Sequence, residues 1–331
     1  MGFSRRFRKS KMRLFKIVIV ALALQSPQIV SARTILISND DGLTSNVKAL
    51  YDALKAQGHD VIVSVPCSNQ SGMGAAIQFA RPLGSLQKDC RSSAARPGDP
   101  GAGPMTRSGF ERDFFYVDGT PVMSLLYGLD IAATKRWGKA PDLVISGPNE
   151  GQNIGAVVIS SGTVSNAQYA MGRGIPAIAV SASYDTSDDN GLVNPKSRDV
   201  AERIVNFVKH LDKTSAGGRM LPERTSLNVN FPDQLAGARW RLSRIGTYEG
   251  MRISFLEDRS TISDPVNGFE NVSGLGIAIQ KNNDNPTLDQ INDESFVYRN
   301  NISVSVMQSG YDASTDVKGD IERRLQGVFD R

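Results

Sequence analysis

Two adjacent carboxylates, Asp40 and Asp41, close the first β-like run of the chain, Thr34-Ile35-Leu36-Ile37-Ser38-Asn39-Asp40-Asp41-Gly42. An apolar run that stops on Asn-Asp-Asp-Gly reads as a buried parallel strand ending in a loop, and ligands of open α/β sheets bind at that carboxyl edge. Crowded carboxylates repel unless a cation lies between them, and hard divalent ions favour carboxylate oxygens. Taken alone, the tetrapeptide is equally compatible with a solvated turn. A second segment, Pro66-Cys67-Ser68-Asn69-Gln70-Ser71-Gly72-Met73-Gly74, follows the next β-like run. Its hydroxyls and backbone N–H groups can cradle an anion or fill a metal shell. A third, Ser146-Gly147-Pro148-Asn149-Glu150-Gly151-Gln152-Asn153-Ile154-Gly155, leads to Ser160-Ser161-Gly162-Thr163 at a helix start. Free N–H groups and the helix dipole favour phosphate there. Each segment also reads as ordinary turn or cap chemistry, but three of them at strand ends of one sheet point together to a site. The chain holds only His59 and His210, neither in these segments. That argues against a histidine triad or a histidine-rich zinc site, and for an oxygen-ligand centre suited to Mg²⁺ or Mn²⁺ and phosphate chemistry.

The elements that must position these groups alternate. Apolar periodicity predicts strands at 34–38, 61–65, 143–146, 177–181 and 227–231, with helices near 46–57, 121–135, 163–172 and 197–211. That order predicts an α/β fold: a Rossmann-like, mostly parallel sheet flanked by helices. From about 235 the helical pattern vanishes and β-like runs at 239–245, 275–279 and 302–306 alternate with polar segments. Residues 33–234 thus read as a catalytic core, and 235–331 as a β-rich C-terminal extension and oligomerisation arm. Between Cys90 and Glu111, the stretch Arg96-Pro97-Gly98-Asp99-Pro100-Gly101-Ala102-Gly103-Pro104 reads as a mobile loop insertion with too little apolar surface to pack.

With 331 residues, 40% hydrophobic and 22% charged, the chain has the composition of a globular α/β protein. Its formal charge of +4 misleads, because Arg5, Arg6, Arg8, Lys9, Lys11, Arg13 and Lys16 all precede residue 33 and no acid accompanies them, so the remainder carries −3. No basic face for a nucleic-acid duplex is expected. Those cations lead into Ile17-Val18-Ile19-Val20-Ala21-Leu22-Ala23-Leu24 and then Val30-Ser31-Ala32. This is the form of a cleavable signal peptide spanning 1–32, cut after Ala32, with a periplasmic or secreted destination. An uncleaved anchor is the alternative, but Gln25, Pro27 and Gln28 interrupt an apolar run far shorter than the roughly 20 residues a span needs. Cys67 and Cys90 are the only cysteines. In an oxidising compartment they either bridge or remain two buried thiols.

Ser38-Asn39-Asp40-Asp41-Gly42, Pro66 to Gly72, Gly119-Thr120-Pro121, Ser146-Gly147-x-Asn149 with Gly151-x-Asn153-x-Gly155, and Ser161-Gly162-Thr163 together resemble the SurE family in order and spacing from residue 34 to about 232. The resemblance implies a metal-dependent nucleotidase or acid phosphatase. It implies one divalent ion per subunit, Mg²⁺ or Mn²⁺, held by Asp40, Asp41, Ser71 and Asn149. Asp40 and Asp41 would be the catalytic pair, with Asn153, Ser161, Gly162 and Thr163 holding phosphate oxygens. The expected substrate is a nucleoside monophosphate, and the expected assembly a homodimer or homotetramer. Cys67, Gln70 and Ser160 depart from the family pattern and put substrate preference in question. A generic acid phosphatase and a periplasmic solute-binding protein are the alternatives, the latter needing a second α/β lobe that the tail after 235 does not suggest.

Overall fold

Ile35 and Ile37 face one side of the first strand and Leu36 the other, and all three are fully buried, as the two-residue alternation of a strand covered on both faces requires. The computed structural model describes residues 1–2, 32–187, 191–262, 265, 272–310 and 312–328. The segment read as a signal peptide lies almost wholly outside the described residues. From Ser31 onward the chain forms one unit.

Among the described residues eleven strands run in chain order as β1 (Thr34–Ser38), β2 (Asp60–Pro66), β3 (Ala102–Pro104), β4 (Phe114–Val117), β5 (Leu143–Glu150), β6 (Ala177–Ala182), β7 (Thr225–Asn230), β8 (Trp240–Ser243), β9 (Met251–Leu256), β10 (Gly276–Lys281) and β11 (Ile302–Gln308). Nine form one sheet in the order β3-β4-β2-β1-β5-β6-β7-β11-β8. Its centre, β4 through β7, is parallel, while β3 and β11 run antiparallel to their neighbours β4 and β7. The remaining pair, β9 and β10, forms an antiparallel ribbon.

Helices α1 (Ser45–Ala56), α2 (Pro121–Tyr127), α3 (Thr134–Trp137), α4 (Gly162–Gly172), α5 (Pro195–Thr214), α6 (Glu294–Val297) and α7 (Thr315–Arg324) complete the fold. Helices α1 and α5 bury Val47, Leu50, Leu54, Val200, Ile204 and Val208 against Ile35 and Ile37. Helices α2 and α4 bury Leu125, Val164 and Ala167 against Leu36 on the opposite face. Each principal helix starts where a side-chain oxygen accepts a first-turn N–H: Thr44 from Val47 (3.3 Å), Thr120 from Met123 (3.3 Å), Ser161 from Val164 (3.1 Å) and Asn194 from Lys196 (2.9 Å). Pro121 and Pro195 occupy first-turn positions where no N–H is needed.

Three expectations change. Residues 91–112 are a packed insertion: Ala94, Ala95 and Met105 are buried in the same cluster as β1, and β3 pairs with β4. The Cys67–Cys90 disulfide, with Cα atoms 4.6 Å apart, ties its start to the end of β2. Small side chains reach the core from a tethered loop, which a composition rich in Gly and Pro does not reveal. The helix expected at 121–135 is interrupted by a π-helical stretch, Gly128–Ala133, where Gly128 lies against Leu36 and Ser64 with no room for a Cβ. Downstream of 235, β8 and β11 join the main sheet, and α7 is a surface helix without buried residues. Among the described residues no helix is long and apolar enough to cross a membrane.

Candidate functional site

Strands β1, β2 and β5 deliver their carboxyl ends to one side of the sheet, where a cleft of about 640 Å³ opens. Its lining includes Asp40, Asp41, Asn69, Ser71, Asn149, Glu150, Asn153 and Ser161. Asp40 and Asp41 are 3% and 1% exposed, so the solvated-turn reading fails. Asp40 accepts from the Thr163 hydroxyl and from the Thr163 backbone at the start of α4. The positive end of that helix therefore faces a carboxylate. Burial nevertheless holds the Asp40 carboxyl above its ordinary range, against those hydrogen bonds. Asp41 accepts from Asn69 Nδ2 (3.2 Å) and from the Glu150 N–H (3.1 Å). Burial, then the neighbouring charges of Asp40 and Glu150, push its carboxyl well up. A site that disfavours its own negative charge has an electrostatic use for a cation.

The residues present fit such an ion. A bulge in the pairing of β5 with β6, between Ser146 and Asn149, re-aims the strand end, and Asn149 Nδ2 donates to the Gly151 carbonyl at 2.7 Å. That leaves Asn149 Oδ1 buried with no hydrogen-bond partner. An orphaned buried oxygen beside two carboxylates is costly unless something coordinates it. Ser71 lies on the same cleft, its loop shaped by a Ser71 N–H bond to Asn69 Oδ1 at 2.8 Å. Among the described residues no three His, Cys, Asp or Glu side chains are grouped to hold a metal. Two carboxylates, an amide oxygen and a hydroxyl line the cleft, and all four are hard donors that would suit such an ion.

Of the four residues expected to meet phosphate, Asn153 and Ser161 line the cleft, while Gly162 and Thr163 do not. Asn153 donates its side-chain amide to Ser181 Oγ (2.9 Å), and Ser161 caps α4. Gly162 and Thr163 stand behind Asp40. A Cβ at Gly162 would lie 2.7 Å from Asp40 Cβ, so only glycine permits this approach of helix to strand end.

Several contributors escape a reading of the sequence. Glu150 sits inside the third segment, and only its position among turn residues hinted at a role. Arg91 grips it with two bonds, 2.8 and 2.7 Å. The β9–β10 ribbon supplies Met251, Ile253, Ile277 and Ile279 as an apolar wall facing the carboxylates, and Tyr184 completes it. In the ribbon Ile253 pairs with Ile279 and Phe255 with Ile277, which places their side chains on one face.

The C-terminal part also braces the cleft from behind. Glu294 is fully buried and accepts from the Gly155 N–H (3.1 Å) and from Asn228 Nδ2 (3.0 Å), while Asn228 holds the Asn153 carbonyl at 2.9 Å. Burial pushes the Glu294 carboxyl up to about 7 from an ordinary 4.5. A raised folded pKa means the folded state keeps its proton longer, so this stabilisation is full below pH 4.5 and is lost as pH rises through 7. Glu294→Gln should therefore raise Tm at pH 8 and have a smaller or opposite effect at pH 4.5. Thermal melts at the two pH values check this, and equal shifts would refute it.

Residues 35–251 match the family described as Survival protein SurE. The chain belongs to the SurE family. A 5'-nucleotidase SurE of Geobacter metallireducens is 34% identical over 230 residues, covering 68% of this chain and 76% of that protein. The counterpart from Thermosipho africanus is 33% identical over 214 residues, 63% of this chain and 70% of that one. An acid phosphatase of Yarrowia lipolytica is 34% identical over 209 residues, 61% of this chain, and the match spans 57% of the phosphatase's length. The crystal structure of the SurE protein from Aquifex aeolicus superposes with a TM-score of 0.62 at 26% identity, covering 88% of this chain and all of that one. The SurE match spans β1 to the start of β9, and so contains every residue named as a metal or phosphate contact.

Proposed function

We propose that this SurE-family chain is a divalent-metal-dependent phosphomonoesterase that hydrolyses nucleoside monophosphates. The observation that carries the reading is the convergence of Asp40, Asp41 and the unpartnered Asn149 Oδ1 in one cleft beside the N-terminus of α4. Asp40, Asp41, Ser71 and Asn149 would hold one Mg²⁺ or Mn²⁺, which supplies Lewis-acid stabilisation of charge on the phosphoryl oxygens. Asn153 and the Ser161 hydroxyl would orient the phosphate, while Gly162 and Thr163, which stand behind Asp40, would hold that carboxylate in place. Relatives named as nucleotidases and as an acid phosphatase support this reaction class. Phosphate release from AMP with Mn²⁺, lost on chelation and restored by the metal, tests it; release that is unaffected by chelation would overturn the metal role.

All monoesters share the phosphoryl end, so discrimination must come from the rest of the substrate. The apolar wall of Ile253, Ile277 and Ile279 suits a flat base better than a hydroxylated sugar. AMP or GMP should accordingly outpace glucose 6-phosphate. Ile253→Ser should lower kcat/KM for AMP about tenfold, the worth of one partly buried aliphatic contact, and leave glucose 6-phosphate unchanged. Equal losses on both substrates would leave a generic acid phosphatase.

The core at 33–234 and the extension at 235–331, which adds β8 and β11 to the sheet and the ribbon wall to the cleft, would build the site together, and exposed Leu242 and Leu275 of the extension would join copies in a homodimer or homotetramer. The same proposal places the mature chain, begun at Arg33, outside the cytoplasm.

A further inference from the structure

Two consecutive non-glycine residues, Ser92 and Ser93, adopt left-handed backbone with φ of 53° and 52°. Such conformations are strained for residues with a Cβ and persist only where the surroundings over-determine them. Here the determinants are on view. Cys90 is bridged to Cys67, the Arg91 N–H donates to the Cys67 carbonyl at 2.7 Å, and Arg107 bonds the Ser92 carbonyl. The turn so held reaches into the motif that carries the two carboxylates. Ser92 Oγ donates to the Leu43 carbonyl (2.8 Å), and Arg91 Nη1 donates to the Asp41 carbonyl (3.1 Å) while the same guanidinium grips Glu150. Glu150 in turn offers its N–H to Asp41 Oδ2. Gly42, with φ of +92°, lets the chain pass beside Arg91, because a Cβ there would lie 3.4 Å from Arg91 Cβ and 3.1 Å from the Pro66 carbonyl oxygen.

We propose that the Cys67–Cys90 disulfide acts through Arg91 as a positioning device for Asp41: the oxidised chain holds the Asp41–Glu150 side of the site in register, and the reduced chain does not. The position of the bridge explains more than added stability would. It ties the end of β2, which leads to Asn69 and Ser71, to the turn that pins Asp41 from the other side. One covalent link therefore spans two of the segments that meet at the cleft. The guanidinium fork is needed as well as the charge, since three acceptors on two partners are bonded by one planar group.

The inference rests on the metal-site reading above, and its test separates the two. Arg91→Lys keeps the cation and removes the fork; Cys67→Ser with Cys90→Ser removes the bridge; a third variant combines them. Mn²⁺ binding to the metal-free proteins is followed by the electron paramagnetic resonance of the free ion, beside kcat, KM for AMP and Tm. Arg91→Lys should weaken Mn²⁺ binding and lower kcat, each about tenfold, the usual scale for a residue that orients a ligand. KM should change by less than about twofold. The double-serine variant should lose as much, and the combination should lose no more than either alone, because both act through one arrangement. Multiplicative losses, or an Arg91→Lys protein that binds Mn²⁺ as the wild type does, would overturn the proposal. Should the double-serine variant not fold, wild type reduced by a phosphine and checked by mass and circular dichroism takes its place in the same titration, with the same expected loss. A wild type that binds Mn²⁺ yet releases no phosphate would sink the hydrolase reading and leave this inference to the Mn²⁺ titration; one that binds no Mn²⁺ would sink both.

Discussion

Asp41→Asn is expected to lower kcat/KM for phosphate release about a thousandfold, about 4 kcal/mol of transition-state stabilisation, while the metal-free protein melts at the same temperature or higher. Asp40→Asn should do the same to activity. The two effects diverge because the site opposes its own charge. Asp41 is 1% exposed, and burial together with Asp40 and Glu150 already pushes its carboxyl well up. Removing that charge relieves repulsion in the empty protein and removes a ligand from the loaded one. Stability and activity thus move in opposite directions, which simple unfolding cannot produce. Mn²⁺ titration, melts and AMP turnover on one preparation decide the matter. Wild-type turnover at saturating Mg²⁺ and Mn²⁺ in either variant would overturn the metal assignment.

Gly162→Ala should cost about 2–3 kcal/mol of stability and about a hundredfold in kcat, although alanine is the better helix former. The added Cβ would lie 2.7 Å from Asp40 Cβ and 2.6 Å from Pro121 Cγ, and neither neighbour is a flexible side-chain end. Asp40 directly follows the centre of the sheet and Pro121 begins α2, so the start of α4 must retreat instead. That retreat would pull the Thr163 hydroxyl and N–H away from Asp40. Gly172→Ala is the matched control, because no atom lies within 4 Å of a Cβ there. It should gain about 0.5–1 kcal/mol from helix propensity alone. Melts and turnover of the two variants measure sterics against propensity in one helix. A Gly162→Ala protein as stable and active as wild type would mean that α4 does not bear on Asp40.

Local pattern determined the scaffold of this protein. Thr34–Ser38 and Gly162–Gly172 lie within one residue of where alternation and capping place them, because strand period, helix period and N-cap chemistry are written in contiguous residues. The grouping of Asp40, Ser71, Asn149 and Ser161 was legible for the same reason: each follows a strand or opens a helix of one parallel sheet, and parallel strands send their carboxyl ends to one edge. Tertiary structure alone decided what surrounds them. Arg91 meets Glu150 across 59 residues and Thr163 meets Asp40 across 123, and nothing near either residue in the chain marks the pairing. The apolar wall comes from a ribbon, β9 with β10, that forms its own two-stranded sheet, and Ile302–Gln308, which follows the ribbon in the chain, lies between β7 and β8. Such contacts depend on the packing free energy of segments distant in sequence, which has no period and leaves no local signature.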